Sequence, residues 1–135
     1  MNFEDEKDYI MRIIKEMIRA LMSFALGKRY VAVEVGPEEK YEVSGCKLKD
    51  LMVLVDSGNI DEAENRLLDA IDYNDNDEVA TAVLFYQYLS EKDEAFLKEH
   101  DFSMEEVMDG LKMIAQNTGY GSLINAMIDF PLQEK

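Results

Sequence analysis

Residues 79–89 read VATAVLFYQYL, and only Thr81 and Gln87 interrupt the apolar character of this stretch. Its length and composition predict a helix that is apolar on nearly every side. Such a helix is stable only where other elements cover it all round. The sequence therefore predicts a mostly α fold, a compact helical domain with this helix at its centre.

The chain before the central helix predicts an antiparallel helix hairpin. Apolar residues return at helical spacing from about Cys46, and the pattern breaks at residues 57–59. Asn59 with Glu62 then predicts the N-terminal cap of a second helix. Four residues repeat the spacing found in the second half of a tetratricopeptide repeat (TPR): Gly58, Ala63, Leu67 and Ala70. Since Lys47, Leu51 and Asp75 depart from that repeat and no second copy follows, we expect a TPR-like hairpin and no superhelical array.

Further helical segments follow the central helix. Ser90 and Asp93 restart the pattern toward His100, and Ser103 with Glu106 forms a capping box before another amphipathic helix. A last short helix is predicted over residues 122–130, where Pro131 ends it.

The N-terminal segment predicts a long amphipathic helix over residues 4–26. Arg12, Lys15 and Arg19 form a basic stripe on the polar side of this helix. We predict an interaction surface on this helix that combines the stripe with apolar residues: Arg12, Lys15, Arg19, Ile10, Met17, Leu21 and Phe24.

A short β-hairpin is predicted near residues 30–43. Residues 30–35 and 41–43 are rich in strand-forming side chains, and the Gly36-Pro37 turn signal separates them. A two-stranded ribbon is marginal in water, so it is expected to lie on the helices or to pair with another chain.

The composition limits the classes of function. A chain of 135 residues, with 47% hydrophobic and 32% charged residues, predicts one folded domain over 1–135, with a helical body at about 46–130. The net charge of −15 opposes binding of nucleic acid. The lone Cys46, the acidic start of the chain and the lack of a long apolar run predict a cytoplasmic protein without a transmembrane segment.

No catalytic, cofactor-binding or metal-binding residues are predicted. Asp72, Asn74 and Asn76 match the spacing of a calcium-binding EF-hand loop, but Asp77 and Val83 replace its glycine and its chelating glutamate. We therefore interpret this region as a helix cap and a solvated loop. His100, the single histidine, is expected to lie exposed at a helix C-terminus.

The whole chain resembles a family of small bacterial proteins of unknown function. The resemblance rests on three stretches: DYIMR at 8–12 with Ile14 and Met17, GNIDEAEN at 58–65, and EHDFS at 99–103 before Glu105 and Glu106. It implies a helical fold in a bacterial cytoplasm, and it implies no activity or substrate.

Three functional hypotheses remain open. The first is a non-enzymatic interaction or adaptor domain that binds another protein or a second copy through its helical-hairpin surfaces. The alternative is a small-molecule or metal-binding regulatory protein with an acidic cleft. The third is peripheral membrane contact through the basic stripe of the first helix. If all four apolar residues of the predicted surface are buried within the chain, the first hypothesis is weakened.

Overall fold

The computed structural model describes residues 3–27 and 41–126, which are mostly helical with one small antiparallel sheet. The long N-terminal helix is α1, Phe3–Leu26. The other elements follow in chain order: β1 Glu42–Val43, β2 Cys46–Lys47, α2 Leu48–Asp56, α3 Ile60–Ala70, α4 Asn76–Ser90, α5 Glu94–Glu99, α6 Met104–Thr118 and α7 at residues 121–126. The predicted strand at 30–35 and the end of the helix predicted over 122–130 lie outside these residues.

Helix α4 is the centre of the packing, as the sequence predicts. It contacts α1, α2, α6 and β1, and its buried positions lie on every side. Thr81 is fully buried, and its hydroxyl donates to the backbone oxygen of Asp77 at 2.8 Å, so no polar atom is stranded. The apolar stretch at 79–89 therefore dictates the layout, because three helices and a strand are needed to cover it.

The strand at 42–43 has a hairpin partner that the sequence did not predict. The strand at 42–43 pairs with Cys46–Lys47, a segment expected to begin a helix that in fact begins at Leu48. Ser44 and Gly45 both adopt left-handed backbone angles, with φ of 45° and 91°, and close a tight two-residue turn. Val43 is fully buried, and β1 lies on α4, so the helices support this ribbon.

The loop before α4 is held by its own acidic side chains. The Asp75 carboxylate accepts hydrogen bonds from the backbone N–H groups of Asp77 and Glu78, at 2.9 and 3.2 Å, and so caps α4. The Glu78 carboxylate accepts from the backbone N–H groups of Ser44 and Asp72, both at 2.8 Å. The interpretation of this region as a helix cap agrees with these contacts, which fasten the hairpin to the start of α4.

The capping box at α6 is half formed. The Ser103 hydroxyl accepts from the backbone N–H of Glu106 at 3.2 Å, as expected. The Glu106 carboxylate accepts from the Ser103 hydroxyl at 3.5 Å, whereas a full box has it accept from the Ser103 backbone. Asn59 occupies the cap position of α3 but makes no side-chain cap bond.

Candidate functional site

The apolar residues of the predicted interaction surface are mostly buried within the fold. Met17 and Leu21 are 0% and 1% exposed, so a partner cannot reach them in this fold. Phe24 is half-buried and stacks on Tyr120, with 4.3 Å between ring centroids. Ile10 is also half-buried. The physical reason is that α4 and α6 need apolar cover and α1 supplies it.

The basic stripe lies on the opposite side of α1 from Ile10, and all three of its side chains are exposed. Arg19 lies 3.6 Å from the Glu16 carboxylate, one turn away. Within the residues that the structure describes, Arg12 and Lys15 form no ion pair. An exposed pair such as Arg19 with Glu16 contributes about 0–1 kcal/mol, so the stripe is available to a partner at little cost.

A groove of about 270 Å³ lies where the start of α1 meets α5 and the start of α6. We call it the α1–α5 groove. Its lining is mainly apolar at the floor and charged at the rim, and consists of Lys7, Ile10, Glu94, Leu97, Lys98, Phe102, Ser103, Met104 and Glu105. It brings together two stretches of sequence, 7–10 and 94–105, that lie far apart in the chain.

The turn between α5 and α6 shapes this groove. The backbone N–H groups of His100 and Phe102 both donate to the carbonyl of Leu97, at 3.0 and 2.8 Å. Asp101 takes the left-handed conformation, with φ of 58°, that this helix end requires. Phe102 thereby turns inward and is 4% exposed, which makes it part of the floor.

An ion pair closes one side of the rim. Lys7 of α1 lies 3.2 Å from the Glu94 carboxylate of α5, and both side chains are nearly half exposed. The pair joins the two elements that form the groove walls. Lys98 and Glu105 are the other charged side chains of the lining, and both are exposed.

The other side of α5 packs on the turn between α2 and α3. His100 is half-buried there, so the prediction of an exposed histidine was wrong. Its ring lies 4.6 Å from the ring of Phe96, and its Nδ1 lies 2.8 Å from the Phe96 carbonyl oxygen. A Cβ atom at Gly58 would overlap the imidazole, and Gly58 has a φ of 89°. Glycine is therefore required at this turn for both conformation and close approach.

Lys92 links the ends of α2 and α4 beside this contact. Its ammonium donates to the Asp56 carboxylate at 2.5 Å and lies 4.7 Å from the centroid of the Tyr88 ring. The Tyr88 hydroxyl donates to the same carboxylate at 2.7 Å. Burial alone raises the pKa of Asp56, but these two hydrogen bonds outweigh it and lower the pKa below its usual value. The cluster is a structural tie between helices.

A second, acidic cleft of about 390 Å³ lies beside the start of α4. Leu26, Tyr41, Glu42, Asp75, Asp77, Glu78 and Thr81 line it. Asp75 caps α4 and Glu78 holds the hairpin, so these carboxylates already accept several backbone hydrogen bonds. Over residues 3–27 and 41–126, no group of three or more histidine, cysteine or acidic side chains is arranged to hold a metal ion.

Glu64 is a half-buried carboxyl that the sequence did not single out. It accepts a hydrogen bond from the Tyr86 hydroxyl at 2.6 Å, between α3 and α4. Burial raises the pKa of Glu64, the Tyr86 hydroxyl lowers it, and nearby Asp61 and Glu106 raise it further. The pKa of Tyr86 is raised, first by burial and then by Glu64. Neither residue lines the groove or the acidic cleft, so this pair has no access to a ligand there.

The α1–α5 groove is thus the best candidate site. It offers an apolar floor and charges of both signs, a combination that suits binding of a protein side chain more than acid–base chemistry. The sequence pattern marked Ile10 as a surface residue, but no periodicity could pair it with α5.

In the part of the chain that the structure describes, no helix is both long and apolar enough to span a membrane.

Comparison with known proteins identifies a family and nothing more specific. Neither the curated proteins nor the solved structures include a significant match to this chain. One family model matches residues 4–119, which include every residue that lines the groove. The chain therefore belongs to the family described as "Family of unknown function (DUF6483)".

Proposed function

We propose that this chain is a non-enzymatic protein-binding domain that receives a partner in the α1–α5 groove. The observation that carries the proposal is the concave site itself, where the half-buried Ile10 is accessible beside the buried side chains of Leu97 and Phe102 and between charged walls. Interfaces draw most of their binding energy from a few side chains that pack into such sites near the centre of the interface, surrounded by a polar rim.

The size of the groove also favours a protein partner. The groove volume of about 270 Å³ is at the lower end of the range of about 300–1,000 Å³ found for pockets that enclose drug-sized ligands. An open groove of this size accommodates a protruding side chain better than it encloses a metabolite. The proposal is a specific form of the adaptor hypothesis. It retains a single cytoplasmic domain, in which the TPR-like α2–α3 hairpin supports α5 through the contact between Gly58 and His100.

Two other proposals are weaker. The basic stripe offers Arg12, Lys15 and Arg19 to an acidic protein surface or an anionic membrane, but three charges act against a chain of net charge −15. The acidic cleft would serve a cation or a small molecule, but Asp75 and Glu78 are already engaged with the backbone.

Site-specific photocrosslinking tests the proposal. A photoreactive amino acid replaces Lys98 on the groove rim, Lys15 on the stripe or Asp69 on the exposed side of α3, in otherwise identical chains. Each chain is expressed in the cells that naturally produce the protein, and its adducts are identified by mass spectrometry.

We expect a defined protein adduct from the Lys98 position and none from Asp69. An adduct from Lys15 alone would move the interface to the stripe and overturn the groove. Equal adducts from all three positions, or none from any, would also contradict the proposal, because a specific interface gives position-dependent crosslinking.

A further inference from the structure

We propose that the α1–α5 groove selects a basic protein segment that carries one large apolar side chain between positive residues. This inference rests on the proposed function, and it adds the chemistry of the partner. Three observations carry it: the acidic charge around the groove, the local compensation of its two lysine charges, and the limited depth of its apolar floor.

The segment that supplies most of the groove lining is strongly acidic. Residues 91–109, which supply α5 and the start of α6, carry eight acidic and two basic side chains, a net charge of −6. Glu99, Asp101 and Glu106 are exposed close in sequence to the rim residues Lys98 and Glu105. The whole chain adds to this field with its net charge of −15. A field of one sign attracts partners of the opposite sign and accelerates their association.

The two lysines of the rim do not reverse this preference. Lys7 is paired with Glu94 at 3.2 Å, so its charge is locally compensated. Lys98 lies in the last turn of α5, where a cation compensates the negative end of the helix dipole. Glu105 lies in the first turn of α6 on the rim, and an incoming arginine or lysine would meet its exposed carboxylate.

The floor limits the apolar part of the partner. Leu97 and Phe102 are 1% and 4% exposed, so they close the bottom of the groove and leave little further depth. Ile10 and Met104 complete the apolar lining. Ile10 is the most exposed apolar residue of this lining, so a single leucine-sized side chain is enough to cover it, and further apolar anchors would find little accessible apolar surface to bury. The selected segment therefore combines a single apolar anchor with flanking positive charge.

Fluorescence anisotropy with a defined probe tests the inference. The probe is a short fluorescein-labelled peptide with one central leucine between pairs of arginines. Two comparison peptides replace either the leucine by serine or the arginines by glutamates. We expect the probe to bind the full chain more tightly than both comparison peptides, with an affinity that falls as salt rises.

Two matched variants locate the binding. Glu105→Lys reverses a charge on the rim at the second residue of α6, and Asp61→Lys reverses one at the second residue of α3, which does not line the groove. Both change the net charge and oppose the helix dipole in the same way, and circular dichroism verifies that both fold. We expect Glu105→Lys to weaken probe binding by about fivefold more than Asp61→Lys, since it replaces attraction by repulsion near the ligand.

Methyl NMR supplies an independent readout, in which the probe should shift the methyl signals of Ile10 and Met104. Equal weakening by the two variants, or indifference to loss of the leucine, would overturn the inference. An adduct at Lys98 together with either of these results would leave the proposed function intact and refute only the basic partner. If the Lys98 adduct is also absent, the proposed function fails as well.

Discussion

Substitution of Gly110 by alanine is expected to destabilise the fold, although alanine is the better helix former. Gly110 lies within α6 and is buried against the ring of Tyr86 from α4. A Cβ atom at this position would overlap the Cε1, Cζ and hydroxyl oxygen of that ring. The ring has no room to retreat, because it is fully buried and its hydroxyl is held by Glu64 at 2.6 Å.

The magnitude follows from opposing effects. Replacement of glycine by alanine within a helix contributes about 1 kcal/mol of stability. Overpacking a well-filled core costs about 1–3 kcal/mol. If the displaced Tyr86 also loses its hydrogen bond to the Glu64 carboxylate, about 1.5 kcal/mol more is lost. We therefore expect Gly110→Ala to lower the free energy of unfolding by about 2 kcal/mol.

Urea denaturation followed by circular dichroism measures this change. Asp109→Ala is the matched control, because it introduces the same residue at the neighbouring exposed position of α6. We expect the control to change stability by less than about 0.5 kcal/mol. If Gly110→Ala is instead more stable than the wild type by about 1 kcal/mol, helix propensity dominates and the close contact between Gly110 of α6 and the Tyr86 ring of α4 is wrong.

Three other variants test separate contacts. Burial raises the pKa of Glu64 above its ordinary value of 4.5. The fold is therefore expected to lose stability as the pH rises from 4.5 through the raised pKa, because the folded state disfavours ionisation of this carboxyl group. Glu64→Gln should flatten this decline in urea titrations across pH, and an unchanged slope would contradict the assignment. Asp75→Ala should lower the free energy of unfolding by about 1 kcal/mol through loss of the α4 cap, with Asn76→Ala as a near-neutral comparison. Gly58→Ala should lower the melting temperature, because the left-handed turn alone costs about 1–2 kcal/mol and the new methyl group meets His100; an unchanged melting temperature would rule out that contact.

The sequence predicts the helices well because their signals are local. The apolar stretch at 79–89 cannot be exposed on any side, and it identifies the central helix without other information. Ser103 likewise marks the start of α6, because its hydroxyl satisfies a nearby backbone group. The pairing of Val43 with Cys46 was missed because it depends on left-handed backbone conformations at Ser44 and Gly45. A serine in the sequence does not indicate that conformation.

The candidate site was harder to predict because it is built from distant segments. Periodicity placed Ile10 on the apolar side of α1. It could not show that Met17 and Leu21 would be fully buried whereas Ile10 would line a groove. The groove depends on the turn after α5, which directs Phe102 inward. His100 was expected in solvent because its contact with Gly58 joins positions that are far apart in the chain.

The affinity of the partner recovered at Lys98 tests the central claim most directly. Isothermal titration calorimetry would compare the wild type with Ile10→Ala, which truncates the groove lining, and Val53→Ala, which truncates an exposed aliphatic residue on α2 away from it. Both variants should be folded at the temperature of measurement. We predict that Ile10→Ala weakens binding about tenfold or more, as expected of an interface hot spot, and that Val53→Ala leaves the Kd unchanged. Equal Kd values for the wild type and Ile10→Ala would contradict binding in the α1–α5 groove.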